Sequence, residues 1–395
     1  MPLDLVKTLS DLVSIASVNP MGLPPSGPEY LEDRVTDYLE ALFRRLGLPS
    51  QRQTVEPRRD NIVTRLDGHV PPDKGGRLIL LEAHQDTVPV IGMTIEPFSP
   101  VVRDGRLYGR GSCDIKGGLT AMLGAVARLA EERPPGMPTI IMACTVNEED
   151  GHSGAEALTK LWSKSGSLIV RRPDAAIVAE PTHLQVVVAH KGVVRWRCRA
   201  HGRATHSSQP QLGVNAIYKM GRVVLALERF HSDVLATSAP HPLCGPPTLS
   251  VGTITGGLSV NTVPDQCAID IDRRLVPGEK PEEAYRHVLD FVAREVSGDP
   301  SIEHEPPYLL SSGLSDDVNG PLARELAMAA CAAGIGCETM GVPYGTNASS
   351  IAAAGVPSVV FGPGSIDQAH TADEWVSLDQ VALASEAIYQ FARGA

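Results

Sequence analysis

The sequence lacks a long apolar run, a paired-cysteine motif and a long basic run. None of its 395 residues lies in a stretch of eighteen consecutive apolar residues, which excludes a membrane-spanning helix. The seven cysteines, at positions 113, 144, 198, 244, 267, 331 and 337, form no CxxC pair and predict reduced thiols. Basic runs are no longer than pairs such as Arg44-Arg45 and Arg58-Arg59, and the net charge is −11. Nucleic acid is therefore not expected as a partner, because phosphate binding needs a basic surface.

The composition is that of a globular chain. Hydrophobic residues make up 43% of the sequence and charged residues 21%, which are values typical of packed domains. A chain of this length can form two or three compact domains that need no disulfide. The first residues, MPLDLVKTLSDLV, carry Asp4 and an amphipathic pattern in place of the basic start and apolar core of an export signal. We therefore expect a cytoplasmic protein.

Short apolar runs alternate with helical patterns in the two outer parts of the chain. The spacing of apolar residues from Glu29 to Leu46 predicts a helix that ends at Gly47. Strands buried on both faces are predicted at 77–84, 139–146, 175–179 and 357–361, and further helices at 117–130 and 321–333. This alternation predicts an α/β domain in which helices flank a mostly parallel sheet.

The middle of the chain has a different pattern. From Gly192 to Ala200 apolar and basic residues alternate, as expected for a strand with one face in water. A helix (214–230), two strands (248–255 and 266–275), a second helix (281–296) and a last strand (301–309) follow. The order β-α-β-β-α-β is the ferredoxin-like arrangement. We therefore predict an inserted α+β domain at 188–307, and an outer domain built from 1–187 and 308–395.

Side chains that can bind a metal follow the predicted buried strands. They are His84 and Asp86, Glu148 and Glu149, Glu180 and, further along the chain, His370. Because ligands bind beyond the carboxyl ends of the strands in open α/β sheets, we expect these groups to meet in one crevice. Asp114 joins them from a glycine-rich turn, Gly109 to Gly118, that leads directly into a helix.

This donor set predicts a centre with two metals. Imidazoles combined with carboxylates suit Zn²⁺, with Co²⁺ or Mn²⁺ as alternatives. A catalytic metal needs about three protein ligands, so the larger set here predicts two metals that share one bridging carboxylate. One residue of the adjacent pair Glu148 and Glu149 can bind a metal while the other acts as a base. Asp86 can accept the spare ring N–H of His84 and fix its tautomer.

Each of these features also has an ordinary structural explanation. A His-x-Asp sequence occurs in turns and salt bridges, and an acidic run such as Glu148 to Asp150 is typical of a solvated surface. The glycines near Gly109 can simply form a turn, and they do not match the phosphate-binding pattern. What favours a functional site is that His, Asp and Glu recur independently at the ends of several strands.

Eight motifs, in order along nearly the whole chain, carry a family resemblance. They are AHQDTVPV from Ala83, GRGSCDIKGG from Gly109, VNEEDGHSGA from Val146, AEPT from Ala179, GRATHSSQPQLGVNAI from Gly202, NTVPD from Asn261, RRLVPGE from Arg273 and FGPGSIDQAHTADEWV from Phe361. They resemble the M20 group of metal-dependent amidohydrolases and peptidases, which includes acetylornithine deacetylase, succinyl-diaminopimelate desuccinylase, aminoacylase and the glutamate-releasing carboxypeptidase. The resemblance implies a catalytic α/β domain with an inserted dimerisation domain.

The resemblance also implies a role for each candidate residue around the metals. Asp114 would bridge the two metals, with His84 and Glu180 on one metal and Glu149 and His370 on the other. Glu148 would be the general base, and Asp86 would support His84.

The remaining carried-over roles concern the substrate. His206 would reach the site of the neighbouring subunit and stabilise the developing oxyanion, while Asn261 and Arg274 would contact the substrate. Gly362 and Gly364 are expected to shape the floor of the pocket, where larger side chains would block the substrate. The sequence departs from many relatives at Gly345-Thr346-Asn347, where they have an aspartate in the third position.

Taken together, the resemblance implies a homodimeric hydrolase with two divalent metals, most simply Zn²⁺. It would cleave an N-acyl amino acid by metal-activated water, and its motifs are most similar to the deacetylase and desuccinylase branch. A di- or tripeptidase or a carboxypeptidase is the first alternative, because the same groups hydrolyse either amide. A non-catalytic metal-binding homologue is the second. Neither nucleic acid nor a membrane is expected as a partner.

Overall fold

The computed structural model describes residues 3–336 and 338–393. Its helices are α1 (Leu5–Ser14), α2 (Asp33–Arg45), α3 (Gly117–Glu132), α4 (Ser153–Leu158), α5 (Ala216–Arg229), α6 (Pro281–Glu295), α7 (Gly320–Ala332), α8 (Ala348–Ala353) and α9 (Leu378–Arg393). Its strands are β1 (Ser50–Glu56), β2 (Arg59–Leu66), β3 (Leu78–His84), β4 (Val101–Arg103), β5 (Arg106–Tyr108), β6 (Thr139–Thr145), β7 (Ala175–Val178), β8 (Val186–His190), β9 (Gly192–His201), β10 (Thr205–His206), β11 (Thr248–Gly256), β12 (Thr262–Val263), β13 (Gln266–Leu275), β14 (Ile302–His304), β15 (Leu309–Ser311), β16 (Thr339–Val342), β17 (Ser358–Val360) and β18 (Trp375–Ser377).

The chain divides into two compact units. The first contains the chain up to Val188, Asp316–Met340 and the chain from Thr346 onward. Its eight-stranded sheet has the order β1-β2-β6-β3-β7-β17-β8-β16. The four central strands, β6, β3, β7 and β17, run parallel to one another, while β2 and β1 extend the sheet in antiparallel fashion beyond β6.

Burial on both faces explains why the central strands are mostly apolar along their whole length. Every residue of β3 and of β6 is buried. Helix α3 packs against both of these strands, and α8 packs against β7 and β17. Each fully buried Leu or Ile side chain stabilises the folded state by about 1.5–3 kcal/mol relative to exposure. A parallel sheet covered by helices is the arrangement that rewards such runs.

The second unit comprises Ala189–Ser315 and Gly341–Gly345. Its antiparallel sheet has the order β11-β13-β9-β14, which is the strand order of a ferredoxin-like fold. Alternate residues of β9, including Trp196, are buried in an apolar core with residues of α5 and α6. The intervening arginines lie on the wetter face, where Arg195 and Arg197 pair with Asp272 and Asp270 of β13 at 2.8 Å. The period-two pattern therefore separates an apolar face from an ion-paired face.

The fold class predicted from the sequence is confirmed. The predicted strands and helices of both units occur with boundaries shifted by a few residues at most, except for the last strand of the inserted unit. That segment forms two short strands, β14 and β15, and both pair with β9. Pro306 and Pro307 lie between them, and neither has an N–H to donate to the sheet. The pairing of β15 also carries the second unit beyond the predicted boundary at residue 307.

The described residues contain neither a helix that could span a membrane nor a disulfide. Within 3–336 and 338–393, none of the helices combines the length and the hydropathy needed to cross a bilayer. No disulfide joins any of the cysteines in these ranges. Cys337, the last of the predicted thiols, lies outside the described residues.

Candidate metal centre

The predicted ligands follow the carboxyl ends of adjacent parallel strands. His84 is the last residue of β3, Glu148 and Glu149 follow β6, and Glu180 follows β7. His370 comes from the segment after β17. Because β6, β3, β7 and β17 are consecutive neighbours in the sheet, their ends converge on the same edge. This is the location at which open α/β sheets bind ligands.

Asp114 lies at the centre of this group, between two histidines. Its Oδ1 is 3.2 Å from His84 Nε2, and its Oδ2 is 3.3 Å from His370 Nε2. The residue belongs to the irregular turn Ser112–Lys116 before α3, where its backbone is extended (φ −118°, ψ 91°). The peptide bond that follows it is cis. The two distances show that each oxygen of the Asp114 carboxylate faces a different imidazole.

Two ligand sets share this aspartate. His84, Asp114 and Glu180 offer one set, and Asp114, Glu149 and His370 offer the other. Within each set the ligand atoms lie within 4.8 Å of one another, so a single small cation could contact all three. Within the second set, His370 Nε2 is 3.4 Å from Glu149 Oε2. These are the two groupings that the family resemblance implied.

The site concentrates negative charge away from water. Burial raises the pKa of the Glu148 and Glu180 carboxyls well above their usual values, and the neighbouring carboxylates raise them further. Burial and the Asp114 carboxylate raise the pKa of Glu149 to about 7. Hydrogen bonds with Asp114 and Glu149 raise the pKa of His370 to about 10. The carboxyl groups of this site are therefore easier to ionise when a positive charge, such as a cation or a protonated imidazole, lies among them.

The residues present fit a divalent cation. Like charges in a buried site repel unless a cation offsets them, and four carboxylates, those of Asp114, Glu148, Glu149 and Glu180, meet here. In the described part of the chain, Glu149 Oε1 is buried and has no hydrogen-bond partner. A buried acceptor that lacks a donor costs free energy, and coordination of a metal would satisfy it. Oxygen and imidazole donors in this ratio suit a borderline ion such as Zn²⁺.

Asp86 supports the centre in a way that the sequence did not reveal. The predicted contact with His84 is only partly realised, because His84 Nδ1 is 3.0 Å from the backbone oxygen of Asp86 and 3.5 Å from its carboxylate. Instead, the two carboxylate oxygens accept the backbone N–H groups of Glu148 and Glu149, each at 3.1 Å. Asn19 Nδ2 donates to the same carboxylate at 2.8 Å. Asp86 therefore anchors the loop that carries the candidate base.

Two further polar residues beside the site were missed by sequence reasoning. Asn19 contacts both Asp86 and the side chain of Asn147, which precedes Glu148. His152 places Nε2 3.6 Å from Glu148 Oε1. His152 was available as a signal, because it lies four residues after Glu148 in the same motif. Asn19 offered none, because only the folded chain brings it within reach of residue 86.

In the second unit, the structure brings His206 and Asn261 together. His206 lies on β10 and pairs with Thr262 of β12. Thr262 is the residue directly after Asn261. The N–H of Ser207 donates to the backbone oxygen of Asn261 at 2.9 Å. The N–H of Ser208 donates to His206 Nδ1 at 3.2 Å, and Ser208 Oγ lies 2.7 Å from the same nitrogen, so Nδ1 is engaged locally and Nε2 is the ring nitrogen left to face a substrate. The exposed imidazole can thus act as a hydrogen-bond donor.

Arg274 lies on β13 of the larger antiparallel sheet, whereas His206 belongs to the separate two-stranded sheet of β10 and β12. Arg274 pairs with Thr248 of β11 on one side and with Val193 of β9 on the other. Gln266, the first residue of β13, marks the end of this strand that is near Asn261 in the sequence. Eight residues of extended chain separate positions 266 and 274, or about 26 Å. The Arg274 guanidinium donates from Nε to Asp272 Oδ1 at 2.7 Å. Arg274 is therefore remote from His206 and Asn261 within one chain.

The glycines predicted to shape the pocket floor have close backbone neighbours. A Cβ at position 362 would lie 2.6 Å from the backbone oxygen of Glu180, and one at position 364 would lie 2.5 Å from Cys113 Sγ. Gly364 also has φ +87°, a conformation that favours glycine. Both glycines thus allow the chain after β17 to pack closely against the segments that carry Glu180 and Asp114. Their proposed role toward the substrate stays a prediction.

The chain matches the family model described as Peptidase family M20/M25/M40 over residues 80–394. It belongs to this family. The predicted enzyme class, a metal-dependent hydrolase of the deacetylase and peptidase type, is confirmed by this membership. The matched region includes all the candidate ligands, from His84 to His370.

Relatives and a solved structure agree with this assignment. The acetylornithine deacetylase of Myxococcus xanthus is 29% identical over 398 residues, covering 98% of this chain and 97% of the relative. The acetylornithine deacetylase of Edwardsiella ictaluri (strain 93-146) is 32% identical over 360 residues, covering 88% and 87%. An M20 family metallo-carboxypeptidase from Sulfolobus solfataricus has a TM-score of 0.77 at 17% identity, and the match covers 99% of each chain. That likeness shows the shared fold alone.

If Asp114 is shared between two sets, metal stoichiometry should respond to each histidine separately. Metal-free protein should bind two Zn²⁺ per chain, and His84→Ala and His370→Ala should each bind about one. Asp114→Ala should bind less than either histidine variant, because it removes a ligand from both sets. Equilibrium dialysis followed by elemental analysis measures the ratio.

His69→Ala serves as the control, because His69 is an exposed histidine of the same unit and belongs to neither set. It should bind as much Zn²⁺ as the wild type. If His84→Ala and His370→Ala also retain the wild-type ratio, the two-set arrangement is wrong.

Proposed function

We propose that this chain hydrolyses the amide bond of an N-acyl amino acid, in the manner of a deacetylase or desuccinylase. The observation that carries the proposal is the pair of ligand sets on Asp114, with the Glu148 carboxyl beside them. The relatives named acetylornithine deacetylase, at about 30% identity over nearly the full length, support an acetylated amino acid as the substrate.

Two metal ions complete the proposed centre. His84 and Glu180 would hold one ion, Glu149 and His370 the other, and Asp114 would contact both. Zn²⁺ is the ion that this donor set suits best, with Co²⁺ and Mn²⁺ as alternatives. Bound ions of this kind polarise an amide carbonyl and lower the pKa of water toward neutrality.

Glu148 is the proposed general base. Its carboxylate would take a proton from the attacking water as the new C–O bond forms, and would return it to the amine nitrogen as the C–N bond breaks. The two hydrogen bonds from the backbone of Glu148 and Glu149 to Asp86 hold this segment in place. A general base must be held within hydrogen-bonding distance of its proton, and an anchored loop achieves this.

Side chains of the second unit would bind the substrate. His206 can donate from Nε2 to the oxyanion, because Nδ1 already accepts the N–H of Ser208. Arg274 has a planar fork that pairs with a carboxylate in bidentate fashion. Its Nε atom bonds to Asp272, and this contact orients the guanidinium. Asn261, next to His206, would add an amide contact.

We propose that the protein acts as a homodimer. Gln266, at the end of β13 that leads back to Asn261, is about 26 Å along the strand from Arg274, so one chain is poorly suited to place His206, Asn261 and Arg274 on one small substrate. A second copy could supply the missing group. Strand β11 is at an edge of the sheet, and Ile254 on it is 58% exposed. An exposed edge strand presents unpaired N–H and C=O groups that can pair with a strand of another chain.

Sedimentation velocity tests the dimer. The sedimentation of the wild type should give a molecular mass twice that of one chain. Ile254→Asp should weaken association by at least about tenfold, because it places a charge on the apolar edge. Met328→Asp is the control, since Met328 is also an exposed apolar residue, at 74%, but belongs to the first unit. A monomeric wild type, or equal dissociation of both variants, would contradict the dimer.

A peptidase is the alternative function. The same metals and base can hydrolyse a peptide bond, and the structurally similar Sulfolobus solfataricus protein is named a metallo-carboxypeptidase. The two activities differ only in the substrate: the acyl group that carries the carbonyl and the amine that leaves are different in an N-acyl amino acid and in a peptide. Substrate comparison therefore decides between them.

The function is tested with Zn²⁺-loaded enzyme and a substrate panel. N-acetylornithine, N-succinyl-diaminopimelate and glycine-containing di- and tripeptides should be compared by kcat/KM, and an acylated amino acid should be the best of them. Glu148→Gln should lower kcat by roughly 10²- to 10⁴-fold because it removes the base. Its Zn²⁺ content should stay at the wild-type value.

Glu156→Gln, an exposed glutamate on α4, should retain wild-type kcat. Faster turnover of peptides would favour the peptidase. If the loaded wild type and Glu148→Gln hydrolyse the whole panel equally poorly, the protein is a non-catalytic metal-binding homologue.

A further inference from the structure

Glu374 is a fully buried carboxylate that lies under the turn carrying Asp114. Its Oε1 accepts the backbone N–H groups of Cys113 at 2.9 Å and Asp114 at 3.1 Å. Its Oε2 accepts the N–H of Gly111 at 3.0 Å and Nη1 of Arg110 at 2.6 Å. Four donors within five consecutive residues therefore converge on one side chain.

Arg110 extends this contact to other loops of the site. Its Nη2 donates to the backbone oxygen of Pro89 at 3.2 Å, and its own N–H donates to that of Pro97 at 2.8 Å. The side chains of Arg110 and Glu374 are 3% and 0% exposed. A buried ion pair of this kind depends on both partners, because either one alone would be a buried charge without compensation.

The segment that carries Glu374 also carries His370. The two residues are four positions apart, and the N–H of Thr94 donates to the backbone oxygen of Ala372 between them at 2.8 Å. The N–H of Gly109 donates to the backbone oxygen of Glu374 at 3.0 Å. The turn with Asp114 and the segment with His370 are thus joined by both side-chain and backbone contacts at residue 374.

We propose that Glu374 is a positioning residue of the metal centre, which holds Asp114 and His370 at the separation that two cations require. The inference rests on the proposed metal-binding function. Both carboxylate oxygens of Glu374 are already occupied by backbone N–H groups and Arg110, so Glu374 acts through the backbone of Asp114 and not as a ligand.

The number and type of its bonds explain why one residue can have this effect. Hydrogen bonds to a charged acceptor are shorter and stronger than those between neutral groups. Loss of the carboxylate would leave three buried N–H groups and the Arg110 guanidinium without their acceptor. Because unsatisfied buried donors are costly, the turn would rearrange, and the carboxylate of Asp114 would move with it. Supporting residues around metal ligands typically contribute about 10- to 100-fold in metal affinity.

The test compares Zn²⁺ affinity in metal-free wild type, Glu374→Gln and Glu374→Asp, by competition with a chelator of known affinity. Glu374→Gln keeps the shape but places an amide NH₂ against backbone donors, and it should bind Zn²⁺ about 10- to 100-fold more weakly. Glu374→Asp keeps the charge but is shorter, and it should show a smaller loss. Excess Zn²⁺ should restore kcat in both variants, because Glu374 contacts no reacting group.

Asp174→Asn is a control of the same chemistry, although the Asp174 side chain is 41% exposed whereas that of Glu374 is fully buried. Asp174 also pairs with an arginine, Arg171, at 2.6 Å, and accepts a backbone N–H, that of Leu78, at 2.7 Å. It precedes β7 and so lies at the opposite edge of the sheet from the site. Its substitution should lower the unfolding temperature without changing Zn²⁺ affinity.

If Glu374→Gln binds Zn²⁺ as tightly as the wild type while its unfolding temperature falls, Glu374 is structural only and the inference is wrong. A wild type that binds no Zn²⁺ would instead overturn the proposed function, and the inference with it. Should the variants fail to fold, hydrogen exchange in metal-free wild type supplies the test. The amide protons of Gly111, Cys113 and Asp114 should be protected, and rapid exchange at all three would overturn the inference.

Discussion

Repulsion among buried carboxylates is the constraint around which this structure is organised. Asp114, Glu148, Glu149 and Glu180 meet where parallel strands end, and burial raises the pKa of three of them. Such a cluster is unfavourable without positive charge. The imidazoles of His84 and His370 face the two oxygens of Asp114, and the donor geometry around that carboxylate is the one that two cations can share.

The cluster is maintained by carboxylates that bind backbone rather than metal. Asp86 accepts the N–H groups of Glu148 and Glu149, and Glu374 accepts those of three residues in the turn that includes Asp114. Each carboxylate fixes a loop whose own residues have no regular secondary structure to hold them. Since loops are otherwise the most mobile parts of a fold, these contacts explain how ligands from separate loops can be held close together.

The sequence predicted those features that depend on local pattern. Buried strands such as Leu78–His84 are mostly apolar runs, and the ligands lie at their ends or directly after them. Both the sheet and the convergence of His84, Glu149 and Glu180 were therefore accessible. The family motifs added Asp114 as a bridge. The anchoring roles of Asp86 and Glu374 were not accessible, because their partners are backbone N–H groups, which no side-chain motif reports.

Other differences arise from contacts distant in sequence. Asn347 donates from Nδ2 to Glu82 Oε1 at 3.0 Å and to Thr145 Oγ1 at 3.1 Å. Asn347 therefore belongs to a buried polar network between β3 and β6. The sequence alone could not assign this role, because the partners of Asn347 are more than 200 positions away in the chain. Arg274 Nε donates to Asp272 Oδ1 at 2.7 Å, a contact that the sequence did not indicate, and the role of Arg274 toward a substrate stays a prediction.

The bridging role of Asp114 is tested most directly by anomalous diffraction at the zinc edge from crystals of the Zn²⁺-loaded protein. The account predicts two peaks about 3.5–4 Å apart, each roughly 2.0–2.2 Å from a different oxygen of Asp114. One should lie beside His84 and Glu180, and the other beside Glu149 and His370. A single peak, or two peaks of which neither or only one is coordinated by Asp114, would contradict it.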